Sequence, residues 1–93
     1  MTLITAERLR DVLAYEKTTG LFRWRVRTSN RINIGDIAGS MHRDGFRKIA
    51  VDGVSYLGQR LAVLHVTGSW PEQNVTRRNL DRSDNSWRNI RAA

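Results

Sequence analysis

The residues best equipped for chemistry gather in the last fifth of this 93-residue sequence. Thr76, Arg77 and Arg78 are followed by Asp81, Asp84, Asn85 and Asn89, with Arg82 and Arg88 interleaved. Carboxylate and amide oxygens at such spacing could hold a hard divalent cation, which prefers oxygen donors. Hydrolysis also needs a base to take a proton from water, and this segment contains no histidine. Its arginines stay protonated at any accessible pH and only donate. Asp84 is better explained as a helix cap and Asp81 as a turn residue. Of the two histidines, His65 falls on an apolar helical stretch and reads as a partly buried structural residue. His42 sits in a polar turn beside Arg43 and Asp44 and is the weaker candidate for a base. With no cysteine, neither a disulfide nor a thiolate zinc site can form.

The charge balance points to a partner rather than a reaction. The chain carries 16 Lys and Arg against 9 Asp and Glu, a formal net charge of +7. Nearly all the positive charge is arginine, whose planar fork pairs with two phosphate oxygens at once. An arginine-rich surface favours nucleic acid, with an acidic protein surface as the other option. Trp24, Trp70 and Trp87 could stack on unpaired bases, but each falls at an apolar position and reads as core. Hydrophobic residues make up 40% of the chain, enough for one modest core. No apolar run approaches the roughly 20 residues needed to span a bilayer. The N-terminus lacks the basic lead and apolar stretch of a signal peptide, so the protein is expected to stay where it is made.

The elements that must position these residues follow from local pattern. Thr5 to Tyr15 reads as a helix capped by Thr5, with Leu9, Val12 and Leu13 on one stripe. Gly20 to Arg27 reads as a strand in which Phe22, Trp24 and Val26 face inward and Arg23, Arg25 and Arg27 face out. Ser29 to Asn33 is a polar loop. Short strands are expected at Ile37–Gly39 and Phe46–Val51, then a two-residue turn at Asp52-Gly53 and a returning strand at Val54–Leu57. Gln59 to Val66 reads as a helix closed by Gly68. Val75 to Arg78 reads as a strand, and Asn85 to Arg91 as a last helix capped by Asp84 or Ser83. The order predicts an α+β domain: a small antiparallel sheet with flanking helices and a C-terminal strand–loop–helix unit.

The second half resembles the phage and intron HNH endonucleases. The resemblance is carried by Tyr56 to Ala62, Thr67-Gly68-Ser69-Trp70-Pro71 and Asp81 to Arg91. Thr5 to Leu13, Gly20 to Trp24, Gly35 to Gly39 and Gly45-Phe46-Arg47 sit where that family carries a leading helix and DNA-contacting strands. The whole of 1–93 then reads as one such domain, with the helix and strands in 1–57 and a ββα-metal-like unit in 58–93. In the family a metal-binding Asp and a general-base His end the strand, and later Asn or His residues orient the base and complete the metal site. Here Thr76 stands at the Asp position and Arg77 at the His position, while Asn85 and Asn89 match the later ones. Arg78 and Leu80 depart from the usual Ile and Gly, and Gln59 stands where a His is typical.

Threonine is a weak neutral ligand for a hard cation, and arginine cannot accept water's proton. The resemblance therefore implies a catalytically inactive, metal-free and cofactor-free phage protein that binds double-stranded DNA in the cytoplasm of its host. The residues expected to touch DNA are Arg23, Arg25, Arg27, Arg43, Arg47 and Lys48 on the strands. Arg77, Arg78, Arg82 and Arg88 join them at the altered site, where Arg77 and Arg78 are expected as exposed side chains near a turn. One alternative is an inhibitor that binds an acidic surface of a host nucleic-acid-processing or defence protein. Another is a metal-dependent nickase with an unorthodox site.

Overall fold

Thr5 opens the first helix, its hydroxyl accepting the Arg8 amide at 3.1 Å, which satisfies one of the orphan donors of the first turn. In the computed structural model, which describes residues 3–72, 75–79 and 81–92, this helix (α1) covers Ala6–Val12. It buries Leu9 and Val12 and stops short of the expected Tyr15. From Leu13 the backbone is extended, and β1 (Leu13–Tyr15) pairs antiparallel with β2 (Phe22–Trp24). Pairing keeps Leu13 buried and sets the Tyr15 ring 4.8 Å from Phe22. Tertiary packing here outweighs the helical stripe.

β2 is also shorter than the Gly20–Arg27 strand expected. Phe22 and Trp24 are buried, but the chain leaves the sheet after Trp24, and Val26 is exposed. The Arg25 amide turns back to the Val12 carbonyl at 2.8 Å. Arg23, Arg25 and Arg27 therefore do not form one arginine face. The far edge of β2 bonds instead to Asp36–Ala38, with Arg23 opposite Ile37. Gly39 then redirects the chain into β3 (Ser40–Met41). Its φ is +85°, and a Cβ there would meet Ile49 Cγ1 and the Lys48 carbonyl at 2.6 Å, so only glycine fits.

β3 pairs with β4 (Arg47–Val51), and β4 with β5 (Val54–Leu57), all antiparallel. Asp52 and Gly53 join the last two with φ of 51° and 80°, the two-residue turn their types predict. Helix α2 (Gly58–Thr67) ends at Gly68, whose left-handed backbone returns its N–H to the Leu64 carbonyl. Both match expectation closely. Alternation splits the sheet into two faces. Ile49, Val51 and Tyr56 join Leu61 and Leu64 of α2 and Leu9 of α1 in the core. Lys48, Ala50 and Ser55 point away from it. Among the described residues no helix is long and apolar enough to cross a membrane.

The expected closing helix over Asn85–Arg91 is absent. A 3-10 turn at Trp87–Asn89 leads into β7 (Ile90–Ala92), which pairs antiparallel with β6 (Val75–Arg77). Asp84 does not cap a helix: its carboxylate accepts both the amide and the hydroxyl of Ser86, at 3.1 and 2.6 Å, and so holds a turn. The Trp87 amide donates to the Lys17 carbonyl, and the Tyr15 hydroxyl takes the Asn85 carbonyl. Those long-range partners consume the groups that a helix would use. The C-terminal unit is a strand–loop–strand hairpin, and the described residues form a small α+β domain with antiparallel sheets and two α-helices.

Candidate nucleic-acid interface

Arg77 is not the exposed side chain the sequence predicts. It is half-buried, donates from Nη2 to Asn85 Oδ1 at 2.7 Å, and lies 5.0 Å from the centre of the Phe46 ring. Burial lowers its pKa, against the opposing pull of Asp81 and Asp84. It remains a cation, since a guanidinium starts so far above neutrality. Its Nε is buried without a partner among the described residues. Arg82 covers Phe46 as well, at 5.2 Å, and donates from Nη1 to the Asp44 carbonyl at 2.9 Å. Two guanidinium groups thus dock the β6–β7 hairpin onto one aromatic ring beside β4.

Asn85 is the other half of that clamp. It is 1% exposed, and glycines crowd it from two sides. A Cβ on Gly20 would lie 2.2 Å from its backbone carbon, and one on Gly58 would lie 2.8 Å from its side-chain nitrogen. Asn89 is equally committed: Oδ1 accepts the Asn79 amide at 3.0 Å, and Nδ2 donates to the Asp84 carbonyl at 2.8 Å. Thr76 donates its hydroxyl to the Arg91 carbonyl across the hairpin. Of the four family-matched positions, only Arg77 and Asn85 bond each other; Asn89 ties Asn79 to Asp84, and Thr76 lies exposed on the hairpin. That donor set does not fit a divalent metal. No cluster of three His, Asp or Glu side chains suited to a metal occurs among the described residues either.

Arg78, Arg82, Arg88 and Arg91 are exposed on this unit, and Arg78 and Arg88 flank a recess of about 280 Å³ with Asn79, Asp84 and Asn89. Asp84 is the recess's one carboxylate, and its pKa is lowered, chiefly by the Ser86 hydroxyl. Three donors engage it: the Ser86 amide, the Ser86 hydroxyl and Asn79 Nδ2. Asp81 is held below its usual range in the same way by Ser83.

Phe46 precedes β4 and lines a recess with Leu57, the residue that pairs with Lys48 on the outward sheet face. Farther along, that face opens into a trough of about 430 Å³. Lys48, Ala50 and Ser55 form part of its floor, and the Arg31–Ile37 segment forms a wall. Arg31, which the sequence reading passed over, reaches this trough; the only local signal was its place in a loop without acids. Lys48 is there too, paired with Asp44 at 3.4 Å. Its neighbour Arg47 points the other way and donates to the Gly39 carbonyl.

The remaining strand arginines are partly engaged. Arg23 bonds Glu16 and the Gly35 carbonyl, Arg25 the Arg10 carbonyl and Arg27 the Asn30 carbonyl. Arg43 is exposed in the β3–β4 turn. His42 lines the trough, where no acidic or metal-binding cluster accompanies it. His65 packs against the Tyr15–Phe22 pair with Nε2 on the Leu13 carbonyl, and burial lowers its pKa. Trp24 is buried, and Trp70 and Trp87 pack against the core, leaving none of the three as a stacking platform. No family model, curated protein or solved structure matches the chain.

Proposed function

We propose that this protein binds double-stranded DNA through its phosphate backbone, using the plan of a phage-type HNH endonuclease whose cutting residues have been replaced. The observation that carries the reading is the state of Arg77. A cation fills the space between Asn85 and Phe46, so the altered site is a built positive element and not a vacancy. Around it, Arg78, Arg82 and Arg88 face solvent on one unit. On the outward sheet face, Arg31 and the Asp44-paired Lys48 line the trough together with Asp36. Phosphate contacts of this kind fix register without reading sequence.

Salt-dependent binding to a mixed-sequence duplex tests it. Each neutralised phosphate contributes about −0.9 to the slope of log affinity against log salt. Replacing Arg78 and Arg88 together with alanine is expected to flatten that slope by about two and leave thermal melting unchanged. A duplex ignored at low salt overturns the reading and redirects it to an acidic protein surface.

A further inference from the structure

The loop from Arg25 to Gly35 presents a fixed apolar tip that folding does not explain. It carries Arg25, Arg27 and Arg31 and no acidic residue, and every residue in it except Ile32 is exposed. Ile32 anchors the loop by packing against the core. Two positions on, Ile34 is 68% exposed, the highest value among the exposed large hydrophobic residues. It occupies the second position of a tight turn, Asn33 to Asp36, closed by the Asp36 amide on the Asn33 carbonyl at 3.1 Å. Gly35 supplies the positive φ, +93°, that the third position of a type II turn requires.

That tip is held from several sides. Asp36 Oδ2 accepts the Asn33 amide, the Gly35 amide donates to the Trp24 carbonyl, and Arg23 Nη1 donates to the Gly35 carbonyl. A β-branched residue gains nothing at such a position in water, and scattered exposed residues are ordinary. This one differs in being held by the bonds of its turn, in a loop whose charged residues are Arg25, Arg27 and Arg31, with the Asp36 carboxylate closing the turn.

We propose that Ile34 is a wedge that enters the minor groove of duplex DNA and partly unstacks one base step, with the loop arginines on the flanking phosphates. This rests on the DNA-binding reading above and adds where and how the duplex is deformed. Wedges of this chemistry (Phe, Leu, Ile, Met or Pro) kink DNA toward the major groove. Arginine suits the narrow, strongly negative minor groove beside them. A tip already ordered loses little entropy on insertion. A lipid surface is the poorer match, because one isoleucine lacks the broad apolar face by which peripheral segments hold a bilayer.

The test uses a duplex with 2-aminopurine beside a flexible TA step and a donor–acceptor dye pair at its ends. The wild-type chain is expected to raise 2-aminopurine fluorescence and shorten the end-to-end distance. Ile34→Ser is expected to abolish both, weaken binding about tenfold, and leave the salt slope and melting temperature unchanged. Ile34→Phe, a bulkier wedge, is expected to keep the bend. Arg78→Ala should weaken binding while retaining the bend, which separates failure of the wedge from failure of DNA binding. Duplex binding without bending, or equal bending by Ile34→Ser, overturns the wedge. No duplex binding by the wild type overturns the underlying reading and the wedge with it. Ile34-dependent binding to phosphatidylserine vesicles, with duplex ignored, overturns it in favour of a lipid contact.

Discussion

Arg77→Ala is expected to lower stability substantially, while Arg78→Ala, one residue on, should not. Arg77 donates a charge-assisted bond to Asn85 at 2.7 Å, a class of bond that contributes about 1.5–3 kcal/mol. Its stacking on Phe46 adds roughly 0.5–2 kcal/mol. Against these stand the desolvation of the guanidinium and an unpartnered Nε, which costs about 1–3 kcal/mol. Truncation relieves that cost but leaves Asn85 Oδ1 without its donor in a site 1% exposed. Water entering the space offsets part of the loss. The net expectation is about 2 kcal/mol, or a melting temperature lower by roughly 8–16 °C for a domain of this size. Arg78 is exposed, and its loss should stay within about 0.5 kcal/mol. Thermal unfolding of the two variants beside the wild type decides the matter. Equal melting of Arg77→Ala and wild type would refute the clamp and return Arg77 to the surface role its sequence position predicts.

Gly20→Ala should prevent stable folding, because φ is +78° and the new methyl would meet the Asn85 carbon at 2.2 Å; circular dichroism at 25 °C reads this directly. Gly53→Asn is expected to cost less than about 1 kcal/mol, since nothing lies within 4 Å and asparagine tolerates a left-handed turn. His65, whose folded pKa is lowered by burial, should make stability fall as pH drops below about 6.5, because the unfolded chain then binds the proton more readily. That dependence should vanish in His65→Gln, and urea midpoints at pH 7 and pH 5 measure it. Asp84 and Asp81 have lowered pKa values through Ser86 and Ser83. Their contribution should persist to about pH 4 and disappear only at stronger acidity, a separate step in the same titration.

What the sequence made legible is what short-range chemistry decides. Asp52-Gly53 accepts positive φ at both positions whatever surrounds it, and the apolar run from Leu61 to Leu64 closed by Gly68 specifies a helix and its stop. The errors fall where a distant partner wins. Leu13 and Tyr15 satisfy a helical stripe, but their pairing with Trp24 and Phe22 gives better burial than another turn of helix. Asn85 to Arg91 looks like a capped helix locally, yet Tyr15 lies 70 residues from Asn85 in sequence and takes its carbonyl. The same blindness affected Arg77. Nothing within four residues of it signals Phe46, the ring on which it rests. The arginine face expected on β2 failed for a related reason: alternation continues past Trp24 in sequence, whereas the strand does not.

The clamp also bears on whether hydrolysis could survive in this chain. A latent site would need a free oxygen cluster and a base near the backbone of a bound strand. Thr76, Asn85 and Asn89 each spend side-chain groups on internal partners. The cation on Asn85 would repel any metal approaching from that side. Asp84 is the carboxylate of the neighbouring recess, and its oxygens hold Ser86 and Asn79 in the turn that allows β7 to pair with β6. Recruiting it to a metal would unmake the hairpin that presents Arg78 and Arg88. Under the proposed DNA-binding function, stability and phosphate contact would therefore draw on the same residues that cleavage would need, and in the opposite direction. A protein that holds DNA with this unit gains by keeping Arg77 in place.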